Sequence, residues 1–264
     1  MESALAEIEF LALSPNRVAV LRRLADGPHT RSDLAAATGA SQATLGRILS
    51  DFEERSWIER DGGTYTATAT GRLVAEGFTD LLDVVETERE LRGVVDYLPA
   101  SAMDFDLRRL ADATVTVPTE TRPDAPMQRS LDLLDGADEV LGFSHAFNER
   151  NLGTIHDRVT RGEQTFRGVF SRSAIDALAD DSRLRQRLVA LDDADGGAIR
   201  VSDREIPVAV IVIDDMVHLL VRDDDGVLRA SVDTDDPAVR SWATDRFGEY
   251  WDGATPLARS DRID

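Results

Sequence analysis

The sequence predicts an α+β helix-turn-helix domain that ends in a hairpin, then a long linker helix, then an α/β domain with a mixed sheet. Three observations carry this. Thr38-Gly39-Ala40-Ser41 is a glycine-centred turn between two helical stretches, and two β-rich runs joined by Asp61-Gly62-Gly63 follow it. The residues from Gly71 to about Asp96 contain no proline and keep apolar side chains at helical spacing. Beyond Pro99, short β-branched runs alternate with amphipathic stretches. The expected boundaries are 1–70, 71–98 and 99–264.

Taken in order, residues 3–13 make a short amphipathic helix with Leu5, Ile8 and Leu11 or Ala12 on one face. Ser14-Pro15-Asn16 opens a second helix by the cap-then-proline rule, with Val18, Leu21 and Leu24 as its core stripe, and Gly27-Pro28 ends it. A third helix packs through Leu34, Ala35, Ala36 and Ala37. The fourth, from Gln42 to about Arg55, places Leu45, Ile48, Leu49 and Phe52 at i, i+3, i+4 and i+7, so this stripe faces a core. Outside it remain Ser41, Gln42, Ala43, Thr44, Gly46 and Arg47, which are small, polar or basic. That is the surface a helix offers to base edges and phosphates in a major groove. Trp57–Arg60 and Thr64–Thr68 then form the hairpin, which in this position is a wing.

Composition limits the alternatives. The chain has 264 residues and no run of eighteen apolar ones, so two domains and no membrane span are expected. Met1 leads into Glu2, Glu7 and Glu9 rather than a basic and apolar leader, which points to the cytoplasm. With no cysteine and four scattered histidines, disulfides and thiolate metal sites are excluded, and no metal or cofactor is expected. The net charge of −20 argues against a nucleic-acid partner until its make-up is read. All 30 basic residues are arginine, and Asp (34) far outnumbers Glu (16), a pattern that resembles cytoplasmic proteins of extreme halophiles. In molar salt the Debye length is about 3 Å, so diffuse acidity repels DNA weakly. Locally, Phe10–Ser50 holds five arginines against two acids, net +3, whereas Val94 onward holds 20 against 34, net −14.

The stretch ASQATLGRILSDFEERSWIER from Ala40 to Arg60, with Tyr65 through Gly71, resembles winged-helix transcriptional regulators of the archaeal and bacterial ArsR and MarR kind, over about residues 5–75. The resemblance implies double-stranded DNA as partner, with Gln42, Ala43 and Arg47 facing bases and Ser41 and Thr44 on phosphate. Arg60, Gly62 and Gly63 would approach the flanking backbone, and Arg31 joins this set. Two bland alternatives stay open: Arg47 pairs with Asp51 at i+4, and Arg31 pairs with Asp33. The long helix carries Leu73, Phe78, Leu81, Leu82, Val85, Leu91, Val94 and Val95, more apolar surface than a small domain needs. A homodimer reading a palindromic operator is therefore expected.

In the second half, Thr114–Val117, Glu139–Phe143, Thr165–Phe170 and Ala198–Val201 read as strands between helices, and Val208–Ile213, Val217–Val221 and Val227–Val232 as an antiparallel meander. Asp235-Asp236-Pro237 starts a last helix with Val239, Trp242, Phe247, Tyr250 and Trp251. This element order, with the strand-Asp-Asp-strand of Pro207–Val221, resembles the effector domain of archaeal TrmB and methanogenesis-regulatory-protein families, similar in fold to half of a phospholipase D unit. Phospholipase D chemistry needs His, Lys and Asp. Aligning Asp214 with the aspartate puts Pro207 and Ala209 at the other two places, so no catalysis is expected, and Asp214 and Asp215 read as turn residues. A small-molecule effector would gather at the carboxyl ends of parallel strands, where Ser144, His145, Arg172 and Ser173 stand and Arg172 could grip a carboxylate or phosphate. Their bland readings are helix caps for Ser144 and Ser173, an ion pair with Asp176 for Arg172, and plain exposure for His145. Two other functions stay open: a degenerate phosphodiesterase or nucleic-acid-processing factor, and a winged helix that binds protein.

Overall fold

The computed structural model describes residues 2–99, 102–178 and 181–257; the end of the expected second domain, 258–264, lies outside them. The chain divides into two compact units, Met1–Val85 and Glu86–Asp264.

In the first unit, α1 (Glu2–Ala12) and α2 (Pro15–Asp26) precede a two-residue strand β1 (His29–Thr30), then α3 (Arg31–Thr38) and α4 (Gln42–Glu54). Strands β2 (Ile58–Asp61) and β3 (Thr64–Ala67) follow, and α5 (Ala69–Leu91) begins in this unit and runs on past its end at Val85. The three strands form an antiparallel sheet in the order β1-β3-β2. A core of Val20, Leu21, Leu24, Leu34, Leu45, Ile48, Leu49 and Phe52 sits among the helices, so the α4 stripe faces inward as its spacing predicts. At about 25 cal/mol per Å² of apolar surface, each such side chain contributes roughly 1.5–3 kcal/mol of burial. Gly71 fits only as glycine: a Cβ there would lie 1.8 Å from the Trp57 carbonyl oxygen.

Three expectations for this unit change. Ala36 and Ala37 face solvent, and Leu34 alone of the α3 residues is fully buried. On α1 only Leu11 is buried, while Leu5 and Ile8 are exposed. The long helix ends at Leu91, and Val95–Tyr97 forms a separate 3-10 turn rather than its continuation.

The second unit is built on an eight-stranded mixed sheet. Its strands are β4 (Thr114–Thr116), β5 (Glu139–Ser144), β6 (Thr165–Ser171), β7 (Gly197–Ser202), β8 (Ala209–Ile213), β9 (Met216–Arg222), β10 (Leu228–Thr234) and β11 (Thr255–Pro256), in the order β11-β7-β6-β5-β8-β9-β10-β4. Only β5-β6 and β6-β7 pair in parallel; β8, β9 and β10 make the expected meander. Side chains from α6 (Ala125–Asp135), α7 (Glu149–Thr160), α8 (Arg172–Ala177) and α9 (Ser182–Asp193) form one apolar cluster with the sheet. A second cluster joins α10 (Pro237–Gly253) to the sheet through Val239, Trp242, Phe247 and Tyr250.

Candidate nucleic-acid interface

The candidate site starts with the turn between α3 and α4. Thr30 caps α3 through a capping box: its side chain accepts the Asp33 N–H, and the Asp33 carboxylate takes the Thr30 N–H at 2.9 Å. The Thr30 hydroxyl, which donates to the same carboxylate at 2.7 Å, and then the Thr30 N–H hold the Asp33 carboxyl below its ordinary value. The bond spends Asp33 on the cap, so Arg31 does not pair with it. Instead the Arg31 guanidinium donates to the Gln42 carbonyl and lies beside Gly46, clipping α3 to the first turn of α4. Arg31 is half-buried, so this expected duplex contact is turned inward.

Gly39, at φ +67°, makes the left-handed step that ends α3 and lets the chain reverse. Ser41 then caps α4, its Oγ accepting the Thr44 N–H at 3.1 Å. The Ser41 and Thr44 hydroxyls are 2.9 Å apart. Ser41, Gln42, Ala43 and Arg47 are exposed and Thr44 is half-exposed, so one polar face of the helix start stands outward. Asp51 does not hold Arg47; its carboxylate faces Arg17 at 3.7 Å. Among the described residues Arg47 makes no ion pair.

The β2–β3 turn carries Gly62 and Gly63 at φ +55° and +98°, both exposed. Arg60 is exposed one residue before Asp61, and its guanidinium lies 5.3 Å from the Tyr65 ring centre. Phe10 is sandwiched by Arg17 and Arg55, whose guanidinium carbons sit 3.9 and 3.8 Å from its ring centre. Arg55 also pairs with Glu7 at 2.8 Å. Two arginines of this unit are thus used to hold it together.

The expected effector residues are only partly assembled. Ser144 ends β5 and closes a turn, its Oγ donating to the Ala146 carbonyl at 2.7 Å. It does not cap α7; Asn148 does. His145 and Ser173 line one recess together with Ser171, Glu205, Ile206 and Pro207. Ser171 rather than Ser173 caps α8. Arg172 Nε donates to Asp203 at 3.2 Å. Asp214, at φ +50°, accepts the N–H groups of Asp138 and Glu139, so its carboxylate ties the β8–β9 turn to the start of β5.

A buried polar network lies elsewhere. His218 Nδ1 and Asp233 Oδ1 are 2.5 Å apart, and Arg129 donates to the other Asp233 oxygen, with His218 and Asp233 sealed from solvent. Burial pushes the Asp233 carboxyl up, but hydrogen bonding and charge from His218 and Arg129 outweigh it and hold the group below its ordinary value. His218 and Asp233 oppose each other across the β9–β10 pair, but sequence reading missed the cluster because Arg129 reaches it from distant α6.

Two family models match the chain. Residues 5–90 match the HVO_A0261 N-terminal domain, and residues 123–253 match the middle domain of the methanogenesis regulatory protein FilR1. The first match covers nearly all of α1–α5 and the second covers most of the eight-stranded sheet. No curated protein matches. Among solved structures, TrmBL2, an archaeal chromatin protein described as showing a novel mode of DNA binding, is 16% identical, with a TM-score of 0.42 over 94% of this chain and 97% of its own. Nuc from Salmonella typhimurium, a phospholipase D family member, is 14% identical over 55% of this chain and 97% of its own, with a TM-score of 0.43. NucT from Helicobacter pylori is 13% identical over 55% and 98%, with the same score. At such scores these likenesses carry no argument about function. No helix among the described residues is long and apolar enough to cross a membrane.

Proposed function

We propose that the protein is a DNA-binding transcriptional regulator. The observation that carries this is the outward face at the start of α4. Ser41, Gln42, Ala43 and Arg47 are exposed there, on a helix whose opposite face is wholly buried. In this reading the first unit is a winged helix-turn-helix and α4 enters the major groove. Gln42 and Arg47 meet base edges, and Ser41 and Thr44 present hydroxyls to phosphate. Arg60 with Gly62 and Gly63 forms the tip of a wing on the neighbouring backbone. Arg31 acts by positioning the first turn of α4, not by touching DNA. The match of residues 123–253 to a regulatory protein's middle domain supports the reading.

The working form is a homodimer in the cytoplasm of a halophilic archaeon, on a palindromic operator. Leu5, Ile8 and Leu13 at α1, and Leu73, Leu81, Val84 and Val85 on α5, are exposed apolar residues that a second copy would cover. The second unit senses a small molecule and does not catalyse. Pro207 and Ala209 supply neither nucleophile nor phosphate clamp, and Asp214 is engaged by two backbone N–H groups. Ligand binding shifts the balance between dimer arrangements, a coupling typically of about 1–3 kcal/mol.

The test is fluorescence anisotropy with genomic duplex fragments in concentrated potassium chloride. Saturable binding is expected, and Arg47→Ala should weaken it by about 1–3 kcal/mol, roughly 5- to 150-fold. Indifference to all duplexes, or to Arg47→Ala, would overturn the reading.

A further inference from the structure

Two hollows in the second unit share a wall. One is an apolar cavity of about 60 Å³ bounded by Phe147, Leu152, Ile155, Phe170, Ile211 and Leu220. Phe147 and Phe170 stack with ring centres 4.2 Å apart on its border. The other is a polar cleft of about 490 Å³ lined by His145 and Asp223 among others. Leu220 and Arg222 line both.

One nitrogen of Arg222 and one of His145 lack partners at this junction. Arg222 Nη1 donates to the Gly226 carbonyl at 2.8 Å, but its Nε is buried with no hydrogen-bond partner among the described residues. His145 Nδ1 is buried and unpartnered as well. Burial pushes the Arg222 guanidinium down, and burial, then the Arg222 charge, holds the His145 imidazole below its ordinary value. The corner thus holds one guanidinium and one imidazole whose protonation is disfavoured, each with an unpartnered nitrogen. The acids of the cleft do not fill it. Asp223 is engaged by Arg229 at 2.6 Å and by the N–H groups of Asp225 and Val227, while Asp96, Asp224 and Asp225 are exposed. On the apolar side, Asn151 is 6% exposed; it gives Nδ2 to Ser130 and leaves Oδ1 unpaired. A mere packing gap would not gather such groups.

We propose that these adjoining hollows together bind a small monocarboxylate with a short apolar body, its carboxylate against Arg222 and His145 and its hydrocarbon in the cavity beside α7. At roughly 10–15 Å³ per water-sized sphere, the cavity holds a body of about four to six carbons. The inference deepens the sensor reading above and rests on it only for the consequence to DNA binding; ligand binding itself is read without DNA.

The experiment is isothermal titration calorimetry on the full chain at fixed potassium chloride, with 3-methylbutanoate, its neutral isostere 3-methylbutanamide, formate and inorganic phosphate. Saturable binding of 3-methylbutanoate is expected, at least tenfold tighter than the amide, which lacks the charge, and at least tenfold tighter than formate or phosphate, which lack the body. Arg222→Gln should weaken it at least tenfold. Absence of saturable binding, equal affinity for the amide, or phosphate or formate binding as tightly as 3-methylbutanoate would overturn the proposal. Should Arg222→Gln fail to fold, the ligand comparisons on the unsubstituted chain decide. Arg47→Ala should leave these affinities unchanged, so failure of the DNA reading and failure of this one remain distinguishable.

Discussion

Asp233 shows how much a single side chain can carry. It is the shared acceptor for His218 and Arg129, and with it gone two basic groups would face each other under the sheet. Removing one partner of a buried ionic set costs about 3–5 kcal/mol, so Asp233→Asn should lower unfolding stability by that order in a denaturant titration. The pH dependence has a definite sign. Because the folded carboxyl lies below its ordinary value of 3.8, its stabilisation is present above that pH and is lost as pH falls through the depressed folded value. The part of Arg129 was not legible beforehand, since Arg129 and Asp233 are 104 positions apart, whereas His218 and Asp233 oppose each other in the β9–β10 pair. Arg31 was expected on the duplex, with Asp33 as its alternative partner; Asp33 is spent on a cap, and the guanidinium's partner lies eleven residues on. The outward set on α4 was legible, because helical periodicity alone sorts Gln42 and Arg47 from Leu45 and Ile48.

Elements were easier to read than side-chain partners, because period and punctuation are local. The hairpin at Asp61-Gly62-Gly63, the α4 stripe and the three-strand meander all follow from spacing and turn residues. Strand β1 escaped because two residues carry no period. The caps of α7 and α8 were misplaced because several serines and asparagines crowd each helix start, and only geometry picks Asn148 and Ser171. Helix α5 yields a prediction at this scale. Leu81 is 42% exposed, one turn along the helix from the buried Phe78. Leu81→Asp should leave the unfolding midpoint nearly unchanged but halve the mass seen by light scattering. A monomeric parent chain, or an unaltered dimer in the variant, would remove the proposed interface.

At the scale of the whole molecule, charge is the dominating quantity, and −20 is shared unevenly along the chain. The excess of +3 between Phe10 and Ser50 suggested that the basic residues gather where a duplex would dock. The structure divides that excess into two kinds. Arg17 and Arg31 turn toward their own domain, while Arg22, Arg23 and Arg47 point out, joined by Arg60 on the hairpin.

The Phe10 sandwich and the Arg31 clip therefore have a thermodynamic consequence. Arginines committed to internal ring and carbonyl contacts cannot displace counterions from a phosphate chain. With the four outward guanidiniums of residues 10–60 each taking one phosphate, log affinity should fall against log salt with a slope of about −3.6 per protomer. A steeper slope in a salt titration would mean that other cations take part, whereas a shallow one describes a grip that fades slowly in brine.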